Sequence, residues 1–309
     1  EVCTNLTHAE AEEDFHVYGG ARRTGAHAGN TKVEITDNAK VYGNVYGGGS
    51  YSGGASIVKG NTLVVISGGS VEDKTGTRGY VYGGGDRDHV MGNTKVILSG
   101  GKVDTAVYGS GSKGSIVEGS ATVQILDGDW SGTLISGAAE GAKVKRGSKL
   151  LIGSNEQVFR GTIGKISNFD EVEVAKGSVF NPTGGNIFDV TKHNYTISSA
   201  NLGESGLAIT TVSQGAEVSV DKPITLNFAT EGRVLSGRYK IIDATQADPA
   251  NVDTTTNWDS AHVSVNGKGA SFEGLVWDDQ TLYLDYVSPV VDAAMAGNWG
   301  VFKSSQAFT

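Results

Sequence analysis

The chain has 309 residues, of which 46 are glycine and 4 proline, with 38 % hydrophobic content, a formal charge of −9 and a pI near 5.2. Glycine is well above the roughly 7 % of ordinary chains while proline is scarce, which excludes collagen-like and proline-rich linker sequences. The acidic balance excludes the clustered basic surface of a nucleic-acid binder, and the lone Cys3 excludes an internal disulfide framework or a C-x-x-C zinc site.

Residues 1–16 form an acidic lead-in (AEAEEDF), read as a cap over the first repeat. No apolar run is long enough for a signal peptide or a membrane span. With Glu1 in first place, the expectation is a segment taken from a longer protein.

From Val17 a phrase recurs: VYGG at Val17–Gly20, VYGGG at Val45–Gly49 and Val81–Gly85, and VYGSG at Val107–Gly111, at spacings of 28, 36 and 26. A second phrase comes after each copy: GNTKVEIT (Gly29–Thr36), GNTLVVISGG (Gly60–Gly69), GNTKVILSGG (Gly92–Gly101) and GSATVQILDG (Gly119–Gly128). Decayed copies stand at Gly147–Ser154 and Asp170–Ser178. Within the second phrase the apolar residues lie two apart (Val33 and Ile35, Val64 and Ile66, Val96 and Leu98), with Lys32, Glu34 and Lys95 among the residues between them. That alternation is the period of a half-buried strand. A unit of 26–28 residues with short strands ended by glycine fits one coil of a right-handed parallel β-helix, an all-β solenoid over 17–236. Equivalent residues of successive coils then lie about 4.8 Å apart, with glycine expected to supply the positive φ of tight corners. A lone coil cannot bury its own apolar side chains, so the coils stabilise one another. The long unit after Val45 predicts an insertion around Glu72–Gly79.

Between 181 and 230 strand patterns continue with looser spacing (NYTISSANL, PITLNFA). Over 237–287 the strands lengthen and gain aromatic residues: GRYKIIDAT, AHVSVNGKG and LVWDDQTLYLDYV, with a hairpin turn expected at Asp278-Asp279. These predict a C-terminal β-rich cap that closes the open end of the helix. Residues 288–309 show apolar positions at helical spacing and read as a short amphipathic helix.

A glycine-rich β-helix, then FEGLVWDDQTLYLDYV, then the alanine-rich NWGVFKSSQAF segment resembles the passenger of a bacterial type V autotransporter. The specific residues of the resemblance lie within Gly237–Phe308. It implies an autochaperone role for 237–287, a linker helix at 288–309 leading to an outer-membrane barrel beyond this segment, and display at the bacterial cell surface. No serine-protease GDSGS motif is present.

Several residue patterns carry candidate chemistry. GSGSKG at Gly109–Gly114 matches G-x-G-x-x-G, but a strand pattern comes next where a nucleotide site needs a helix, so it reads as a corner. GGGDRDH at Gly83–His89 and the Asp127/Asp129 pair resemble single calcium-binding turns, though neither recurs in tandem. Arg87 with Asp86 and Asp88 is the best cluster for a polysaccharide-active site. The six histidines have no metal-ligand spacing, and no G-x-S-x-G elbow exists. No catalytic residue, metal or cofactor is expected. Tyr18, Tyr46, Tyr82 and Tyr108 share one place in successive units, with Ile135 and Phe159 read as its continuation. If the preceding valine points inward, the rings form an outer ladder; the alternative packs them inside or under the glycine loop.

The expected function is a non-enzymatic adhesin or self-association module acting through one face, with Tyr18, Tyr46, Tyr82, Tyr108, Asp86 and Arg87 as contact residues. Its expected partners are a host glycan, a host surface protein or like chains, without nucleic acid and with the membrane only through the barrel. A polysaccharide lyase or glycosidase on the same scaffold and a purely structural stalk are the rival readings.

Overall fold

A computed structural model describes residues 15–21, 27–50, 56–175, 177–187, 190–198, 210–211, 214–219, 225–229, 237–254, 263–265, 268–269 and 272–286. The 1–14 part of the lead-in and the whole of the helix expected over 288–309 lie outside the described residues, as does Cys3.

Three sheets wrap the coils of a parallel β-helix. The first, here the tyrosine sheet, has six strands: Val17–Tyr18, Val45–Tyr46, Tyr80–Tyr82, Ala106–Tyr108, Leu134–Ser136 and Ile166–Ser167. The short sheet stacks His27–Ala28, Ile57–Val58, His89–Val90, Ile116–Val117 and Lys143–Val144. The long sheet has 11 strands and begins Thr31–Ile35, Thr62–Val71, Thr94–Val103, Ala121–Ile125, Ser148–Ile152 and Phe169–Val174. It continues in parallel through Val190–Ser198, Thr225–Ala229 and Val263–Val265.

Register turns the sequence repeat into columns. Val33 pairs with Val64, Val64 with Val96, Val96 with Val123, Val123 with Leu150 and Leu150 with Val172. All of these are at most 2 % exposed. The column Val17, Val45, Val81, Val107, Ile135, Ile166 faces it from the tyrosine sheet, and Val58, Val90 and Val117 close the third side. β-branched side chains suit this pleated, in-register stack because each packs on its own kind above and below.

Polar columns stitch the corners. Asn30, Asn61 and Asn93 each accept, through Oδ1, the backbone N–H of the matching residue one coil on: Asn61, Asn93 and Ser120, at 2.8–2.9 Å. The buried hydroxyls of Thr31, Thr62 and Thr94 donate to the carbonyls of Gly47, Gly83 and Gly109 in the next coil, at 2.5–2.6 Å. The GNT tripeptide is thus a double inter-coil lock, and the carbonyls it reaches are satisfied although buried.

The glycines differ from the expectation. Those of the Tyr-Gly phrase do not have positive φ; the left-handed glycines lie elsewhere, as at Gly69, Gly101 and Gly128 at the end of the second phrase. Gly47 and Gly83 instead sit so close to the next coil's backbone that a Cβ would overlap the carbonyls of Gly83 and Gly109. The predicted insertion is an exposed loop between Val71 and Tyr80, where the next coil has only Asp104 and Thr105. Its Asp73 carboxylate gathers the backbone N–H groups of Thr75, Gly76 and Thr77.

The C-terminal cap is a four-stranded sheet of Thr210–Thr211, Gly237–Asp243, Thr281–Tyr286 and Phe272–Asp278. It departs from the expectation in three ways. Val263–Val265, expected in the cap, extends the long sheet, and Thr210–Thr211, from the stretch before 237, pairs into the cap. The hairpin turn is Asp279-Gln280, one residue later than expected, because Asp278 pairs with Thr281 and Asp279 takes the left-handed φ of 54°.

Candidate functional site

The valine of each Tyr-Gly phrase points into the core, so alternation turns the tyrosine to the outer side of its sheet. Because the strands are parallel and in register, the four rings stack. Tyr18 to Tyr46 is 4.9 Å between centroids at 6°, Tyr46 to Tyr82 is 4.9 Å at 4°, and Tyr82 to Tyr108 is 5.2 Å at 12°. The column does not continue through Ile135 and Phe159. Ile135 pairs with Val107 in the inward column, and the counterparts of Tyr108 are Ser136 and then Ser167. Phe159 is buried in the core on a different part of the coil.

Both readings of the rings hold a share of the truth. The rings lie outside the aliphatic core, yet Tyr46 is only 5 % exposed and Tyr18, Tyr82 and Tyr108 are half-buried. Two residues that the repeat did not point to contribute. His16 meets Tyr18 and Tyr46 edge-on at 6.2 and 5.9 Å, and Tyr80 flanks Tyr82 and Tyr108 at 5.9 and 6.2 Å. Asn44 Nδ2 donates to the Tyr46 hydroxyl at 3.1 Å, while the Asn44 backbone N–H donates to His16 Nδ1 at 3.0 Å. Burial pushes the Tyr46 and Tyr82 phenols far above their ordinary range; the Asn44 hydrogen bond opposes this at Tyr46, and the neighbouring rings and Asp86 add to it at Tyr82. Burial also raises Tyr108.

Beside the strip, the corner at Gly83–His89 brings Asp86, Arg87 and Asp88 together in two serine–aspartate columns. Asp86 accepts from Ser112 Oγ at 2.9 Å and Ser50 Oγ at 3.4 Å, and Arg87 Nε lies 3.6 Å from it. Arg87 is exposed, in a left-handed backbone with φ 52°, held by its N–H donating to Ser112 Oγ. Asp88 is buried, at 3 % exposure, and accepts from the N–H groups of Gly49 and His89 and from Ser56 Oγ. Desolvation raises its carboxyl against those donors. Both Asp88 oxygens thus hold the corner together, which leaves Asp86 and Arg87 as the outward pair.

No match was found for this chain among protein-family models, curated proteins or solved structures.

The other candidates resolve into corners. Gly109–Gly114 joins Ala106–Tyr108 to Ile116–Val117 without a helix. Asp127 and Asp129 accept the N–H groups of Gly128 and Ser131. His89 pairs with Glu118 at 2.8 Å, and Lys145 with His89 holds that carboxyl below its usual range. Among the described residues no three His, Cys, Asp or Glu side chains gather as a metal site would require.

The strip has a definite chemistry. Tyr46 and Tyr82 each have a ring partner on both faces; Tyr46 is buried with its hydroxyl held by Asn44, so of the two only the half-buried Tyr82 presents part of its side chain outward. A sugar ring that must lie on an aromatic face finds none free on these two residues.

Proposed function

We propose that the chain is the surface-displayed passenger of an autotransporter, acting without catalysis as an adhesin or self-association module through its tyrosine side. The observation that carries this is the ladder of Tyr18, Tyr46, Tyr82 and Tyr108, in which Tyr46 is buried and the other three are half-buried, bordered by the outward Asp86–Arg87 pair. Edge-on rings with hydroxyls and a flanking ion pair suit a protein surface, either a host protein or a second copy. Contacts repeated from coil to coil then add avidity beyond any single one. Surface display itself rests on the resemblance of Gly237–Phe308 to autotransporter passengers.

The test is binding of the purified chain to host-cell surface proteins, with sedimentation measured across a concentration series. Saturable binding or self-association that Arg87→Glu weakens supports the reading. New reducing ends or unsaturated products from a polysaccharide panel would replace it with the enzyme reading. A chain that binds nothing and stays monomeric is a stalk, a role that the internal use of the ring faces also serves.

A further inference from the structure

The C-terminal sheet carries a cleft of about 400 Å³, away from the tyrosine column, lined by Pro249, Val252, Thr254, Trp277, Asp279 and Gln280. Three pieces of chain build it: the 3-10 turn Pro249–Asn251 with the residues after it, the strand Phe272–Asp278, and the hairpin turn into Thr281–Tyr286. Trp277 packs against the core, yet its indole Nε1 is buried with no hydrogen-bond partner. That N–H has no solvent-accessible surface, so it does not face the cleft. Acceptors and donors line the cleft. Asp279 is exposed and makes no hydrogen bond or ion pair among the described residues. Gln280 Nε2 donates to the Ala247 carbonyl at 3.3 Å, which leaves its amide oxygen as an acceptor. Thr254 adds a hydroxyl at the surface.

We propose that this cleft binds one residue of a neutral glycan. A pyranose has an apolar C–H face and a rim of hydroxyls that both donate and accept. The indole body, the pyrrolidine ring and Val252 match the first; Asp279, Gln280 and Thr254 match the second. The volume stands at the small end of the range for ligand pockets, about 300–1,000 Å³, which suits a sugar residue rather than a long oligomer. The exposed Asp279 carboxylate in the lining repels uronates and other anionic sugars. The site is separate from the tyrosine strip and does not depend on the passenger reading.

The probes are methyl glycosides of glucose, galactose, mannose and N-acetylglucosamine, with methyl glucuronide as the anionic control, followed on the full chain by saturation-transfer NMR and calorimetry. Saturable binding of at least one neutral glycoside is expected. Asp279→Gly removes the carboxylate from a left-handed position that glycine adopts without strain. Trp277→Phe trims the aromatic body that lines the cleft to a smaller ring. Asp279→Gly is expected to weaken binding by about tenfold or more, the usual consequence of deleting a charge-assisted hydrogen bond, and Trp277→Phe to weaken it through lost aromatic contact area. No binding by any neutral glycoside, preference for the glucuronide, or unchanged affinity in Asp279→Gly would overturn the proposal. If Trp277→Phe unfolds the cap, the Asp279→Gly comparison decides alone. Loss of the cleft with cell binding intact leaves the passenger reading standing, and the reverse result leaves the cleft.

Discussion

A Cβ on Gly83 would run into the Gly109 carbonyl of the next coil and press on Val96, whereas a Cβ on Gly29 would meet nothing within 4 Å. The neighbour at Gly83 is backbone held in a ladder on both sides, so it cannot move aside. Gly83→Ala is therefore expected to destabilise the chain by about 1–3 kcal/mol, the usual cost of forcing a methyl into a packed site. Gly29→Ala, exposed and without positive φ, should change stability by no more than about 0.5 kcal/mol. Urea midpoints of the two variants test the contrast. The tyrosines give a second prediction at this scale. The Tyr46, Tyr82 and Tyr108 phenols have raised folded-state pKa values, against about 10 in an unfolded chain. Above that pH the unfolded chain loses phenolic protons that the folded chain keeps, so stability present below about pH 10 falls as pH rises further. Circular dichroism and tyrosinate absorbance should change together above about pH 10, and the triple Tyr→Phe variant at 46, 82 and 108 should flatten that decline.

At the scale of the element, the tyrosine column is a cross-strand ladder whose unit is the ring pair. Tyr82 sits between Tyr46 and Tyr108, so Tyr82→Ala loses two stacks of about 0.5–1.5 kcal/mol each, besides the buried area. Tyr82→Leu, which restores apolar bulk but not the stacking, should recover part of the loss in thermal unfolding. Sequence alone overextends the ladder, because Ile135 looks like a bulky successor to Tyr108. The glycine is the better guide: Ser136-Gly137 matches Tyr108-Gly109, and the pairing of Ser136 with Tyr108 agrees with it. His16, Asn44 and Tyr80 share one place, the residue just before each Val-Tyr-Gly copy, but their identities differ and Ala106 follows them there, so the repeated letters did not single them out.

For the whole molecule, stability passes from coil to coil through ladders, and excursions from the stack matter little. The loop of eight residues at Glu72–Gly79 replaces two residues, Asp104–Thr105, of the next coil. Shortening it to that length should leave the sheet signal in circular dichroism unchanged and shift stability by about 1 kcal/mol or less, since closure entropy depends only weakly on length. Collapse of the β signal would mean that the loop holds neighbouring coils together.

The repeated phrases and their two-residue alternation determined the solenoid, its inward valine and isoleucine columns and the projecting loop. Parallel stacking in register sets each position on its own counterpart, so a pattern along the chain becomes a pattern along the axis. Only the tertiary structure decided that the tyrosine faces are occupied by one another, that the phrase glycines answer to a neighbouring carbonyl rather than to φ, and that Asp88 is bound on both oxygens. It alone brought Pro249, Trp277 and Asp279 around one cleft. Those outcomes depend on distances between neighbouring coils and around the cap, and a spacing along the sequence does not encode them.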